Sequence, residues 1–223
     1  MSGLPDPRPI RAETSWGAIA LTSAALFIVL ALSLRVSGVL PLEKALYAAI
    51  HGWASAEIVS LFGWINYLGD RRVLLPATLL LLWIAPGEAR RWWWLWAGVM
   101  VLAPIVEGFG KELIGRPRPT GSAFGFPSGH VTAASTYFLL LAYLIARRWN
   151  AARRRTSLVW IAAGIPVLLV GIARIVLQAH WPGDAIGGVL LGTALVAAAV
   201  SWFERTRSAG PRTPVPGPRN FTS

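Results

Sequence analysis

The sequence predicts an all-α, polytopic membrane protein: a six-transmembrane-helix bundle with interfacial helices between the first two spans. Three observations carry this. Of 223 residues, 55% are hydrophobic and only 14% charged, more apolar material than a soluble domain of this length usually hides. Long uncharged runs alternate with short arginine-bearing gaps, a pattern of membrane topology rather than of nucleic-acid binding despite a formal charge of +11. Twelve tryptophans, among them Trp92, Trp93, Trp94 and Trp96 beside Arg90 and Arg91, suit the boundary between headgroups and tails. With no cysteine, disulfides, thiolate catalysis and cysteine-bound metal are excluded, and the redox compartment is left open.

Residues 1–15 read as a cytoplasmic N-terminal segment, because Arg8 and Arg11 precede the first span. Trp16 to Leu34 is an uncharged run of 19 residues, nearly enough at helical rise to cross a hydrocarbon core about 30 Å thick. No convincing small-residue cleavage site follows it, so it reads as an anchor and not as a removed signal. Residues 41–70 carry Glu43, Lys44, His51, Glu57 and Asp70 among apolar and aromatic residues. That mixture predicts one or two interfacial helices on the outer surface.

A second, short span is expected over Val73–Ala85, broken by Pro86-Gly87, and a third over Trp92–Ile114, interrupted by Pro104. Residues 115–129 form a Gly/Pro-rich loop, Val131–Ala146 a fourth span, Ser157–Val176 a fifth and Gly183–Phe203 a sixth. Gly183 with Gly187, and Gly188 with Gly192, are spaced for close helix packing. Residues 16–203 thus make the membrane domain, and 204–223 read as a disordered cytoplasmic tail. Five arginines between Arg147 and Thr156 mark the fourth gap as cytoplasmic; this topology places thirteen Lys/Arg inside and eight outside.

Parity then puts the end of span three, the start of span four and the turn between spans five and six on one extracytoplasmic face. Those segments hold Lys111, Arg116 and Arg118; Ser128, Gly129 and His130; and Arg174, His180 and Asp184. Charged groups at membrane depth belong in a protein-lined cavity, and converging cations call for an anion such as a phosphoryl group. Lys111, Arg118 and Arg174 would neutralise its oxygens, and backbone N–H groups around Ser128 and Gly129 at a helix start would donate to them, with Ser128 near the cap. A neutral imidazole is a nucleophile and its protonated form an acid. Asp184, four residues after His180, would orient that ring, leaving His130 as acid for the leaving oxygen.

Lys111-x6-Arg118-Pro119, Pro127-Ser128-Gly129-His130 and Ala173-Arg174-x5-His180-x3-Asp184 resemble, in order and spacing, the three motifs of the type-2 phosphatidic acid phosphatase superfamily, membrane branch. The resemblance implies a phosphohistidine on His180, protonation of the leaving group by His130, support of His180 by Asp184, and phosphate held by Lys111, Arg118, Arg174, Ser128 and Gly129. It departs at Ala173, where the family usually has serine. No cofactor, metal, nucleic acid or obligate protein partner is expected; the substrate is a lipid phosphate or diphosphate in the bilayer. Undecaprenyl diphosphate is favoured for a bacterial plasma membrane. Phosphatidylglycerol phosphate, phosphatidate, lipid phosphotransfer and non-catalytic lipid binding or transport stay open. Arg116 reads equally as a headgroup contact or a catalytic group, Glu107 and Glu112 as structural ion-pair partners, and His51 as interfacial.

Overall fold

A computed structural model of the chain describes residues 15–85, 87–148 and 153–209, with the backbone alone for 153–155. Arg8 and Arg11, Pro86, the centre of the arginine-rich gap at 149–152 and the tail from 210 onward lie outside the described residues. Nine α-helices are described: α1 Trp16–Ser37, α2 Pro41–Gly52, α3 Ala56–Ile65, α4 Arg71–Ile84, α5 Gly87–Arg91, α6 Trp93–Ile114, α7 Gly129–Arg148, α8 Arg153–Val176 and α9 Pro182–Ser208. A 3₁₀ turn, Asn66–Gly69, joins α3 to α4, and no strand is present among the described residues.

Five of these helices, α1, α6, α7, α8 and α9, are long and apolar enough to cross a bilayer. The polar stretch 41–70 folds as α2 and α3 with a sharp bend of 111° between them, a broken span or re-entrant pair rather than one straight helix. The expected second span is shorter than a usual crossing: α4 has 14 residues, about 21 Å at helical rise. It nevertheless runs from one end of the bundle to the other. Arg71 at its start faces Glu107 of α6, while Ile84 at its end accepts a hydrogen bond from Arg148 of α7 at 2.8 Å.

Several helices differ in extent or continuity from the sequence reading. Pro104 does not interrupt α6, which is continuous from Trp93 to Ile114. Helix α9 continues past Phe203 to Ser208, because Glu204 is held by Tyr143 and Arg147, each at 2.5 Å. Helix α8 begins at Arg153 rather than at Ser157.

Helix α7 is the centre of the bundle, and its composition explains how. From Val131 to Tyr137 it is buried on every side, with the small residues Ala133, Ala134, Ser135 and Thr136 among them and the threonine hydroxyls returned to carbonyls four residues back. Across from it, a Cβ on Gly188 of α9 would lie 2.8 Å from Ser128 O, and one on Gly192 would lie 2.6 Å from Ser135 Cβ. Those glycines let α9 approach α7 closely enough to fix the start of α7 against the start of α9. By contrast, α1 and α8 expose Leu21, Ile28, Leu32, Ile161, Ile165 and Leu168, the surface expected of helices facing lipid.

Candidate active site

The three motifs come together at one end of the bundle, where the α6–α7 loop, the first turn of α7 and the α8–α9 turn meet. The α8–α9 turn is closed by its own backbone: the N–H groups of Ala179 and His180 both donate to the carbonyl of Arg174, at 3.0 and 3.1 Å. This brings His180 back over the end of α8, and Pro182 then starts α9. The N–H of Ser128 donates to the carbonyl of Asp184 at 2.9 Å, so the Pro127-Ser128-Gly129 turn is tied directly to the α9 N-terminus.

His180 is buried, and its Nδ1 lies 3.3 Å from Asp184 Oδ2. A carboxylate only accepts, so this contact places the proton on Nδ1 and leaves Nε2 unprotonated. Burial pushes the His180 imidazole below the ordinary histidine value, opposed by the Asp184 carboxylate and assisted by Arg174 and Arg118. The ring is therefore neutral near pH 7.

Asp184 is fully buried and uses both oxygens. Oδ2 also accepts from the Trp181 N–H at 3.0 Å, and Oδ1 accepts from Arg116 Nη1 at 2.6 Å. The other guanidinium nitrogen, Nη2, donates to Glu43 Oε2 at 2.6 Å. Arg116 is only 2% exposed, so the headgroup-contact reading is corrected: two carboxylates on either side draw it into the protein interior. Nor does Arg174 pair with Asp184; it donates to Asn66 Oδ1 in the 3₁₀ turn at 2.8 Å.

Arg118 and Arg174 each bear electrostatically on His180, and Arg118 bears on Arg174. Two like charges brought to one imidazole favour an anion among them. Their Nε atoms and the Ser128 hydroxyl are buried donors with no protein partner among the described residues. Ser128 occupies the cap position in that its carbonyl accepts from the Thr132 N–H at 2.9 Å, but its hydroxyl does not cap the helix. Unpaired buried donors on two cations that act on one imidazole, and on the turn tied to Asp184, suit a tetrahedral oxyanion.

Lys111 differs from expectation in one respect. Its ammonium forms an i,i+4 ion pair with Glu107, which is buried and also lies 3.7 Å from Arg71 Nη1. Glu107 abuts Gly129, where a Cβ would sit 2.7 Å from Oε1, so this carboxylate braces the first turn of α7 and orients Lys111. Glu107 is thus paired as expected, while Glu112 is exposed. The charges acting on His130 are Arg174, Asp70, His180 and Arg71, which couples the two histidines and adds the start of α4 to the site. His51 lies outside it, stacked on Tyr47 and 2.9 Å from Gln178 Nε2. Ala173 is buried among Phe62 and Val176, so its methyl packs against α3.

Sequence reasoning missed Glu43, Asn66, Asp70 and Arg71, all on the polar stretch before α6 or the start of α4. Nothing in local spacing marks them; they join the site only through tertiary contacts.

The family profile of the PAP2 superfamily matches residues 92–208, just over half of the chain and all three motifs. Phosphatidylglycerophosphatase B of Bacillus subtilis is 28% identical over 76% of this chain and 87% of its own length. Phosphatidylglycerophosphatase B of Escherichia coli is 38% identical over 42% of this chain and 34% of its own. An undecaprenyl-diphosphatase of Sulfolobus acidocaldarius is 35% identical over 34% of this chain and 32% of its own. Among solved structures, the transmembrane PAP2-type phosphatidylglycerolphosphate phosphatase of Bacillus subtilis superposes with a TM-score of 0.75 at 24% identity, covering 84% of this chain and 96% of that one. Aquifex aeolicus LpxE superposes at 0.58 with 20% identity, covering 73% and 97%. With the motifs assembled on a multi-pass helical bundle and the family profile spanning them, the chain belongs to the PAP2 superfamily, as an integral-membrane phosphatase of lipid phosphates.

Proposed function

We propose that this protein hydrolyses the phosphomonoester of phosphatidylglycerol phosphate through a phosphohistidine on His180. The observation that carries the chemistry is the neutral His180, held through Nδ1 by Asp184, with the cations Arg118 and Arg174 acting on it and unpaired buried donors on both. The lipid is argued from the relatives: the phosphatidylglycerophosphatase B of Bacillus subtilis aligns over most of both chains, whereas the undecaprenyl-diphosphatase aligns over about a third of each. That ordering moves undecaprenyl diphosphate, the lipid favoured from sequence, to second place.

In the reaction, His180 Nε2 attacks phosphorus and the bond to the lipid oxygen breaks, while His130 gives that oxygen a proton. The Nδ1–H shares the resulting positive charge with Asp184. Water then attacks the phosphohistidine, His130 takes its proton, and inorganic phosphate leaves as His180 is regenerated. Arg118, Arg174, Lys111 and the Ser128–Gly129 turn stabilise the equatorial oxygens throughout. These cations supply the role a metal would otherwise have, so activity is expected to persist in EDTA.

A phosphate-release panel tests the lipid: phosphatidylglycerol phosphate should give the highest kcat/KM, ahead of phosphatidate and undecaprenyl diphosphate. A higher value for undecaprenyl diphosphate would reverse the assignment, and a labelled acceptor lipid without free phosphate would identify a transferase. Wild type should trap an acid-labile phosphoenzyme that His180→Ala lacks. We further propose an extracytoplasmic site with both termini cytoplasmic. An impermeant thiol reagent on intact cells should label Ser122→Cys and spare Asn150→Cys; the opposite pattern refutes that orientation.

A further inference from the structure

We infer that Glu43, on α2 and outside the three motifs, is a positioning residue for the nucleophile, acting through Arg116 and Asp184. The inference rests on the proposed role of His180. Helix α2 presents one side chain per turn to the turn that carries His180: Glu43 accepts from the Gly183 N–H at 2.8 Å, Tyr47 packs on Trp181 with ring centroids 4.9 Å apart, and His51 meets Gln178. Residues 43, 47 and 51 share a face at i,i+4 spacing. Glu43 is the most engaged of them. Besides Gly183 it accepts from the Leu40 N–H at 2.9 Å and from Arg116 at 2.6 Å, and it is 5% exposed. A Cβ at Gly183 would collide with its carboxylate, so the α9 N-terminus has been drawn onto Glu43 as closely as a glycine permits.

Charge gives this contact its purpose. Arg116 lies 2.6 Å from Asp184, and alone it would cancel the carboxylate that His180 needs when phosphoryl transfer makes the imidazole cationic. Glu43 supplies a second carboxylate, leaving Glu43, Arg116 and Asp184 with one net negative charge. Arg116 can thereby clamp Asp184 in place without cancelling its field at His180. The other charges acting on that ring, Arg174 and Arg118, are cationic, and His130 is the neighbouring titratable group.

Glu43→Gln keeps the side-chain volume and removes the charge. Its kcat should fall about 10- to 100-fold with KM within about threefold, because the loss is felt where His180 becomes cationic. The acid limb of kcat/KM should move to lower pH, and Glu43→Asp, which keeps the charge, should restore it. In an Asp184→Asn background, Glu43→Gln should add less than about threefold, since the carboxylate it protects is already gone. Unchanged kcat with an unmoved acid limb, or fold losses that multiply in the double variant, would overturn the inference and leave Glu43 a structural contact only. If Glu43→Gln does not fold, Glu43→Asn, which also removes the charge, reads the same coupling in the same cycle with the same two outcomes. Rates are read on an aryl phosphate as well as on lipid, so an incorrect lipid assignment leaves this test intact, whereas failure of wild type on every phosphate ester would instead refute the proposed function.

Discussion

Asp184→Asn is the most informative single substitution, because every hydrogen bond the carboxylate makes is known and an amide cannot satisfy them all. If the amide oxygen takes the place of Oδ2, it accepts from the Trp181 N–H and from His180 Nδ1, but the NH₂ then faces the Arg116 guanidinium where Oδ1 stood 2.6 Å away. Two donors would confront one another in a fully buried position. If the amide is flipped, Arg116 is satisfied, but the NH₂ faces Trp181 N–H and His180. The imidazole must then offer Nδ1 as acceptor, which moves its proton to Nε2, the attacking atom. Either arrangement costs about 1–3 kcal/mol of stability for an unsatisfied buried group. The flipped one also blocks the nucleophile. The corresponding change at the orienting carboxylate of a Ser-His-Asp triad lowers kcat about 10⁴-fold, and a loss of about 10³- to 10⁴-fold is expected here. That is roughly 4–5.5 kcal/mol of barrier. The assay is phosphate release in detergent, with folded protein confirmed by its thermal midpoint, together with alkaline-quench trapping of phosphoenzyme, which should accumulate slowly or not at all. A folded Asp184→Asn protein retaining kcat within tenfold of wild type would refute the orienting role.

His130→Ala should turn over a lipid monoester at least about 10²-fold more slowly, yet recover part of the rate on an aryl phosphate whose leaving group needs less protonation; equal losses on both would remove His130 from the acid role. Because burial holds His180 below the ordinary histidine value near 6.5, kcat/KM corrected for the second ionisation of the substrate phosphate should stay level as pH falls through 6.5 and decline only below it. A limb above 6.5 would contradict the buried, neutral imidazole. Gly188→Ala should cost about 1–3 kcal/mol and lower the thermal midpoint, because its Cβ would meet Ser128 O, Val131 Cβ and Thr132 N within 3.0 Å. Gly171→Ala is the control: its Cβ would meet only Ala185, at 3.8 Å, and a midpoint as low as that of Gly188→Ala would show that helix composition rather than packing is responsible.

The sequence by itself determined the membrane class, the helices and the motifs, because each is written in short-range terms. A run of 19 uncharged residues at Trp16–Leu34 reads as a span wherever it packs, and His180 and Asp184 share one contact because four residues separate them. The parity of the spans also brings the three motif segments to one end. Only the tertiary structure decided how the charges within that site are shared. Arg116 and Arg118, two residues apart in the same loop, have opposite surroundings: one is enclosed by the carboxylates of Glu43 and Asp184, the other bonds the Phe124 carbonyl and acts on His180. Likewise Arg174 turns to Asn66 instead of Asp184, whereas the Lys111–Glu107 pair, four residues apart on one helix, is the local exception. The physical reason is that a buried charge is governed by whichever opposite charge or acceptor the fold brings within about 4 Å, and sequence separation carries no record of it. Glu43 reaches Asp184 through Arg116, across contacts 73 and 68 residues long, and reaches the neighbouring Gly183 N–H 140 residues away, so no local pattern around α2 marks it as part of the site.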